Sequence, residues 1–180
     1  MKTAVLRKPG VVVGLAVVAV LVAAGLYWFQ PWKLWADQTV REELPVTATP
    51  PSPGATAGTG TPKTLATGTF ISHEHHTSGT VKIVELPDGS RTLRLEDLDT
   101  SNGPALRVWL TDQPVKAGKD GWHVFDDGAY VSLGELKGNK GDQNYPLPAG
   151  LDLDRYRSIS IWCDRFDVSF GAAELSGKAG

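Results

Sequence analysis

Two features of this sequence could carry chemistry: a single cysteine and a cluster of histidines. Cys163 is the only cysteine among the 180 residues, and it ends the apolar run 158–163. A thiol without an internal partner is an inert core group, a ligand, a redox group or half of an intermolecular disulfide. Three of the four histidines, His73, His75 and His76, lie within four residues. Imidazole is a common ligand of metal ions and of haem iron.

The position of Cys163 leaves its role open. With the period of two that a strand imposes, it shares a face with Ile159 and Ile161. If this face is the core, the thiol points inward, where free cysteines are often found. Asp164 and Arg165 follow directly, so the sulfur lies near a strand end and could instead line the mouth of a pocket. An Arg165 guanidinium facing the sulfur would lower its pKa.

The histidine cluster has two interpretations. If the segment is a strand, His73 and His75 share one face and could chelate a metal ion, with His76 in support. The alternative is a solvated polar strand end. The run His73-Glu74-His75-His76 lacks the paired cysteines of a zinc module and the spacing of the His-Glu-x-x-His metalloprotease motif.

The N-terminal part of the chain predicts a membrane anchor. Residues 11–29 form an uncharged apolar run, and about 20 such residues in a helix span a hydrocarbon core of roughly 30 Å. Basic residues in the segment 1–10 precede the run, and aromatic residues cluster at its end. This pattern favours a signal anchor with a cytoplasmic N-terminus and the rest of the chain outside the cytoplasm, in the cell membrane as a single-pass protein. A cleaved signal peptide is the alternative, although no small-x-small site follows the run closely.

Residues 30–66 predict an interfacial segment followed by a disordered linker. The part from Pro45 onward is rich in Pro, Thr, Ala and Gly, and such segments bury too little apolar surface to fold. Extended chain reaches about 3 Å per residue. We therefore expect a spacer that holds the folded part some tens of ångströms from the lipid.

Residues 67–176 predict a single all-β domain, followed by a tail at 177–180. Five segments alternate with period two and place these pairs on one face: Val81 and Ile83, Leu93 and Leu95, Val108 and Leu110, Ile159 and Ile161, Val168 and Phe170. Pro87-Asp88-Gly89 and Asp164-Arg165 predict short turns between strands. We expect half-buried strands in an antiparallel sandwich or a barrel-like domain, with at most a short helix near 151–156.

The sequence argues against several function classes. The net charge is −2, and acidic and basic residues are mixed along the chain. This charge pattern does not predict nucleic-acid binding. No Gly-x-Ser-x-Gly elbow is present, and no pair of acids stands out as catalytic. A hydrolase with an unidentified acid pair remains a third, less favoured hypothesis.

Ordered motifs along the domain resemble the electron-transfer DM-thirteen family. They include His75-x-Thr77-Ser78-Gly79-Thr80, the run 133–145 and Ser160-Ile161-Trp162-Cys163. The resemblance covers Gly68 to about Leu175. It implies a β-rich extracytoplasmic domain whose hallmark cysteine is Cys163 and whose early histidine is His75. It also implies electron transfer, with the cysteine acting as a naked thiol or holding a prosthetic group such as haem.

Two main hypotheses follow. The first is a membrane-tethered redox module without independent catalytic turnover, in which Cys163 is the thiol or cofactor ligand and His75 is a second ligand. Its partner would be a redox protein or cytochrome, and the sequence does not identify the cofactor or the oligomeric state. The second is a non-catalytic binding module at the cell surface that uses the loops 97–104 and 138–145, with Cys163 as a core residue.

Overall fold

A computed structural model describes residues 9–45 and 60–177. Helix α1 spans Pro9–Phe29 and is followed by a 3₁₀ turn at Pro31–Trp35. Among the described residues, α1 with its extension to Lys33 is the one helix that is long and apolar enough to cross a membrane, and a signal sequence would have the same properties. The basic residues expected to set its orientation and most of the Pro-rich segment lie outside the described residues.

The described part of the chain contains ten strands in two five-stranded sheets. The strands are β1 Thr39–Arg41, β2 Lys63–Thr69, β3 Ile71–Ser72, β4 Thr77–Glu85, β5 Arg91–Thr100, β6 Leu106–Thr111, β7 Tyr130–Glu135, β8 Lys140–Pro146, β9 Ser158–Cys163 and β10 Val168–Glu174. The first sheet has the order β1-β8-β5-β4-β2 and the second β3-β10-β9-β6-β7. All pairings are antiparallel except that of β1 with β8. These two sheets do not close into a barrel, which corrects that part of the prediction.

One cluster of buried apolar side chains is shared by both sheets. It contains the predicted inward pairs of β4, β5, β6, β9 and β10. All ten of these side chains are at most 2% exposed, so the predicted alternation is confirmed. Removal of this apolar surface from water is the main stabilising contribution to the domain.

Strands β9 and β10 are buried on both faces, whereas the sequence predicted half-buried strands. The second face is covered by an aromatic cluster of Trp109, Phe125 and Trp162, to which the loop between β6 and β7 contributes Phe125. The serines that alternate with the core residues are hydrogen-bonded to protein groups, as in the contact of Ser160 Oγ with Ser169 Oγ at 2.9 Å. Polar residues in a strand therefore do not mark a solvated face when a loop covers them.

The segment after α1 docks directly on the first sheet. β1 pairs in parallel with β8, with Thr39 opposite Lys140, and Glu42 lies 2.8 Å from the Lys137 ammonium. Only residues 30–38 separate α1 from β1. The Pro-rich segment instead connects β1 to β2, which lie at opposite edges of the same sheet. The Pro-rich segment therefore does not lie between α1 and β1, where the expected spacer between membrane and domain would have to lie.

The predicted turns are present, and the segment 151–156, for which at most a short helix was expected, contains a single turn. Residues 87–89 connect β4 to β5, and residues 164–167 connect β9 to β10. The segment 151–156 forms a turn in which the Tyr156 N–H donates to the Asp152 carbonyl at 3.1 Å. The glycine-rich run around 138–142 enters β8 at Lys140.

Candidate functional site

Cys163 lies at the end of β9 and is fully buried. By register it stands between Leu106 of β6 and Val168 of β10. Its side chain belongs to the same buried cluster as Ile159 and Ile161. The prediction that the thiol points inward is confirmed.

Burial raises the pKa of the Cys163 thiol, because a thiolate is poorly solvated in an apolar environment. The backbone N–H groups of Arg165, Phe166 and Ala105 favour the thiolate and oppose this rise in pKa, whereas the Glu74 carboxylate adds to it. The balance favours the neutral thiol at neutral pH. A neutral, enclosed thiol is a poor nucleophile.

The Arg165 guanidinium does not act on the sulfur as the sequence suggested. It lies over the Trp28 ring at 5.0 Å and donates a hydrogen bond to the Trp28 carbonyl. The influence of Arg165 on the thiol pKa therefore comes from its backbone N–H. Because Trp28 belongs to the last turn of α1, the guanidinium instead connects the domain to the helix end.

His73 is a buried residue with both ring nitrogens occupied. Its Nε2 lies 3.0 Å from the Lys116 carbonyl oxygen, and its Nδ1 lies 2.8 Å from Ser169 Oγ. A carbonyl only accepts, so Nε2 carries the proton and Nδ1 accepts from the serine. Burial lowers the pKa of His73 and favours this neutral tautomer. Neither nitrogen is free to bind a metal ion.

His75 and His76 lie in a bend between β3 and β4. His75 is half-buried and its ring centroid lies 4.0 Å from that of Phe170, while His76 is exposed. Because the segment is not a strand, His73 and His75 do not share a strand face as predicted. In residues 9–45 and 60–177, no group of three His, Cys, Asp or Glu side chains is placed to hold a metal ion.

A cavity of about 300 Å³ lies between the domain and the end of α1. The domain lines it with Glu74, His75, Gly103, Pro104, Phe166 and Phe170, and the helix end with Phe29, Gln30, Pro31 and Lys33. Cys163 does not line this cavity, because its side chain is enclosed in the core. These residues therefore do not fit a haem held jointly by Cys163 and His75.

A stack of three aromatic rings connects the surface to the residue next to Cys163. The Tyr130 and Trp109 centroids are 3.8 Å apart with an interplanar angle of 7°. The Trp109 and Trp162 centroids are 4.8 Å apart at 19°. Tyr130 is 45% exposed, whereas Trp162 is 1% exposed. These ring contacts depend on the pairing of β6 with β7 and β9, which no local sequence pattern indicates.

The two loops predicted as a binding surface are partly occupied by the chain itself. Asn102 Nδ2 donates to the Ala36 carbonyl at 2.8 Å, and Asn139 Nδ2 donates to Asp37 Oδ1 at 2.8 Å. The Asn144 N–H donates to a Glu42 carboxylate oxygen at 2.8 Å. Their polar groups hold the segment after α1 in place.

The comparisons with known proteins give one result. The model of the electron transfer DM13 family matches residues 69–175, which is more than half of the 180 residues. No curated protein and no solved structure matches the chain. The match begins in the last residue of β2 and ends just after β10, so it includes Cys163, His75 and the aromatic stack. This chain is a member of the electron transfer DM13 family.

Proposed function

We propose that this chain is a membrane-tethered, extracytoplasmic electron-transfer protein in which the buried Cys163 thiol exchanges single electrons with a partner protein. We further propose that its two sheets form a sandwich, since their inward side chains belong to one buried cluster. Family membership supports the general function. The length and apolar character of α1 support the tether.

The observation that carries this proposal is the continuous stack of Tyr130, Trp109 and Trp162. Tyrosine and tryptophan are the protein side chains, besides cysteine, that are most readily oxidised by one electron. Rings in contact shorten each transfer step, and Trp162 is bonded to Cys163 through one peptide unit. An electron can therefore pass between the enclosed sulfur and an exposed ring without any reagent reaching the sulfur.

In the proposed step, one electron and one proton leave the thiol together. A high-potential metal centre of the partner protein takes the electron through Tyr130, Trp109 and Trp162 and is reduced. The Cys163 S–H bond supplies that electron, and its proton passes to a carboxylate base, for which we propose Glu74, whose charge acts on the thiol. Return of the electron and the proton restores the thiol.

A surface binding module is the alternative, and the full burial of Cys163 favours it. In that case the thiol only fills the core. Its replacement by alanine would then lower the free energy of unfolding by about 1 to 3 kcal/mol and leave binding intact.

The test is photochemical oxidation of the full chain in detergent micelles. Photogenerated tris(bipyridine)ruthenium(III) serves as the one-electron oxidant, a spin trap captures radicals, and mass spectrometry locates the adducts. We expect adducts at Cys163 in the native protein. We expect Trp109→Phe to reduce their yield by at least about tenfold, because phenylalanine is much harder to oxidise than an indole.

Trp122→Phe is the matched control. The indole Nε1 atoms of Trp109 and Trp122 are both buried without a hydrogen-bond partner among the described atoms, but the Trp122 ring is not part of the stack. This variant should retain the native yield of Cys163 adducts. Equal yields in both variants, or no adduct at Cys163 in the native chain, would refute the electron-transfer proposal and favour the binding module.

A further inference from the structure

The cavity between the end of α1 and the domain has aromatic walls. The Phe29 ring of α1 stacks on Phe166 of the β9–β10 turn, with centroids 6.0 Å apart. His75 and Phe170 form another pair of ring contacts in the same cavity. Phe166 is 42% exposed, so this wall is not sealed into the core. Flat aromatic groups of this kind favour a planar ligand.

The cavity opens where a membrane-length helix ends. Only residues 30–38 separate α1 from β1, and β1 is paired with β8. If α1 spans a bilayer, the cavity therefore lies at the membrane surface. A ligand with an apolar tail could place its head group between the rings while the tail follows the exposed apolar side chains of α1 into the lipid.

Few polar groups are present among these apolar walls. Lys33 and Gln30 supply hydrogen-bond donors from the helix end, and the half-buried His75 supplies an imidazole. Burial lowers the pKa of His75, although the Glu74 carboxylate opposes the shift. The neutral imidazole that results has one N–H, which suits a carbonyl acceptor. The volume, about 300 Å³, is at the lower end of the range for small-molecule sites, roughly 300 to 1,000 Å³.

We propose that this cavity binds the head group of a membrane quinone, with the ring between Phe166 and the contacting His75–Phe170 pair and its carbonyl oxygens accepting from Lys33 and His75. This inference rests on the proposed function, because a quinone is the lipid-soluble class of electron carrier. The Glu74 carboxylate in the lining disfavours a lipid phosphate. A neutral ring with two carbonyl acceptors matches the donors better than an anion does.

The experiment is a binding titration in the dark with the full chain in detergent micelles. The probe is a benzoquinone with a decyl tail, and the readout is quenching of tryptophan fluorescence, to which Trp28 and Trp32 near the helix end contribute. We expect saturable quenching in the native chain. His75→Leu and Lys33→Met should each raise the Kd by at least about tenfold, because each removes a donor to a carbonyl oxygen.

His76→Leu is the matched control, because His76 is exposed and does not line the cavity. It should change the Kd by less than about twofold. Native and variant chains are compared by thermal unfolding, and Lys33→Met tests the site even if His75→Leu fails to fold. Identical affinities of all variants, or displacement of the quinone by anionic phospholipid at equal concentration, would overturn the inference.

The binding test and the electron-transfer test can fail separately. Quinone binding in the dark requires no electron transfer, and Cys163→Ala should retain it. If that variant binds the quinone but the photochemical test fails, the cavity is a quinone site in a protein that does not use Cys163. If the photochemical test succeeds and quinone does not bind, electron transfer stands and the cavity inference falls.

Discussion

At the scale of single residues, burial determines the protonation state of two of the candidate residues, Cys163 and His73. The pKa of Cys163 is raised and that of His73 is lowered. Both shifts favour the neutral form, because desolvation penalises charge. Burial thus makes Cys163 a poor nucleophile. The buried His73 ring hydrogen-bonds to β10 and to the loop after β6, and it thereby links both of them to the 73–76 bend.

His73 predicts a pH dependence of stability. Its folded pKa lies below its ordinary value of 6.5, so the unfolded chain binds a proton first as the pH falls. The free energy of unfolding should be highest above 6.5 and decrease below it, with a slope of up to about 1.4 kcal/mol per pH unit from this residue. The pKa of His75 shifts in the same direction, and this residue should add to the effect.

Denaturant unfolding between about pH 5 and 7 measures this slope, because carboxylates titrate mostly below that range. His73→Gln should reduce the slope, since the amide can replace the ring's hydrogen bonds but does not titrate. His76→Gln, at an exposed position in the same bend, is the matched control. Equal slopes for the native chain and His73→Gln would contradict the assignment of His73 as a buried neutral group.

At the scale of elements, β1 is held by backbone pairing and by a cluster of charged and amide side chains. Gly141 of β8 has a φ of +93°, and a Cβ placed there would come within 2.0 Å of the Val40 carbonyl oxygen. Only glycine permits both this backbone conformation and the close approach of β1. The pairing is thus encoded in β8 more clearly than in β1, which is only three residues long.

Gly141→Ala should detach β1. Gly150 is the matched control, because it has a φ of +74° but no described atom within 4 Å of the position that an added Cβ would take. Gly150→Ala should lower the free energy of unfolding by about 1 kcal/mol from backbone strain alone. Gly141→Ala should lower it by at least about 1 kcal/mol more and should remove hydrogen-exchange protection from residues 39–42. If the two variants have the same stability and protection, β1 does not depend on this contact.

At the scale of the whole molecule, the order of attachment decides how far the domain can lie from the membrane. The sheet is connected to α1 through residues 30–38, and the Pro-rich segment lies beyond β1. Contacts of Arg165 with Trp28 and of Phe166 with Phe29 bring the β9–β10 turn to the helix end. The domain is therefore held close to the helix instead of on a long tether.

Insertions before β1 and after β1 should have different effects on the distance between the domain and the lipid. Twelve Gly and Ser residues placed within 46–59 should leave the distance between domain and lipid unchanged, whereas the same insertion between Ala36 and Asp37 should increase it. A fluorophore at the exposed position 76, introduced by His76→Cys, reports the distance through quenching by lipid-bound nitroxides, and the enclosed Cys163 should not be labelled. Equal loss of quenching for both insertions would show that β1 does not fix the domain near the helix.

Local patterns in the sequence were sufficient to predict much of the fold. The alternation of Ile159 and Ile161 with serines predicted a strand and an inward Cys163, because successive side chains in a strand point to opposite faces. The length of the apolar run at 11–29 predicted α1, because helix rise and bilayer thickness are fixed. The turns at 87–89 and 164–167 followed from residue types that tolerate tight turns.

The helix, five of the ten strands, the side chains that face the core and the family resemblance could thus be predicted from the sequence. Each of these features depends on residues that are near one another or in a fixed succession. The folded chain was needed to show that β1 pairs with β8, that Tyr130 stacks on Trp109 and Trp162, and that His75 lines a cavity at the end of α1 apart from Cys163. These contacts join positions far apart in the chain. Their geometry depends on strand register and on how the two sheets and the helix meet, for which no single segment carries a periodic signal.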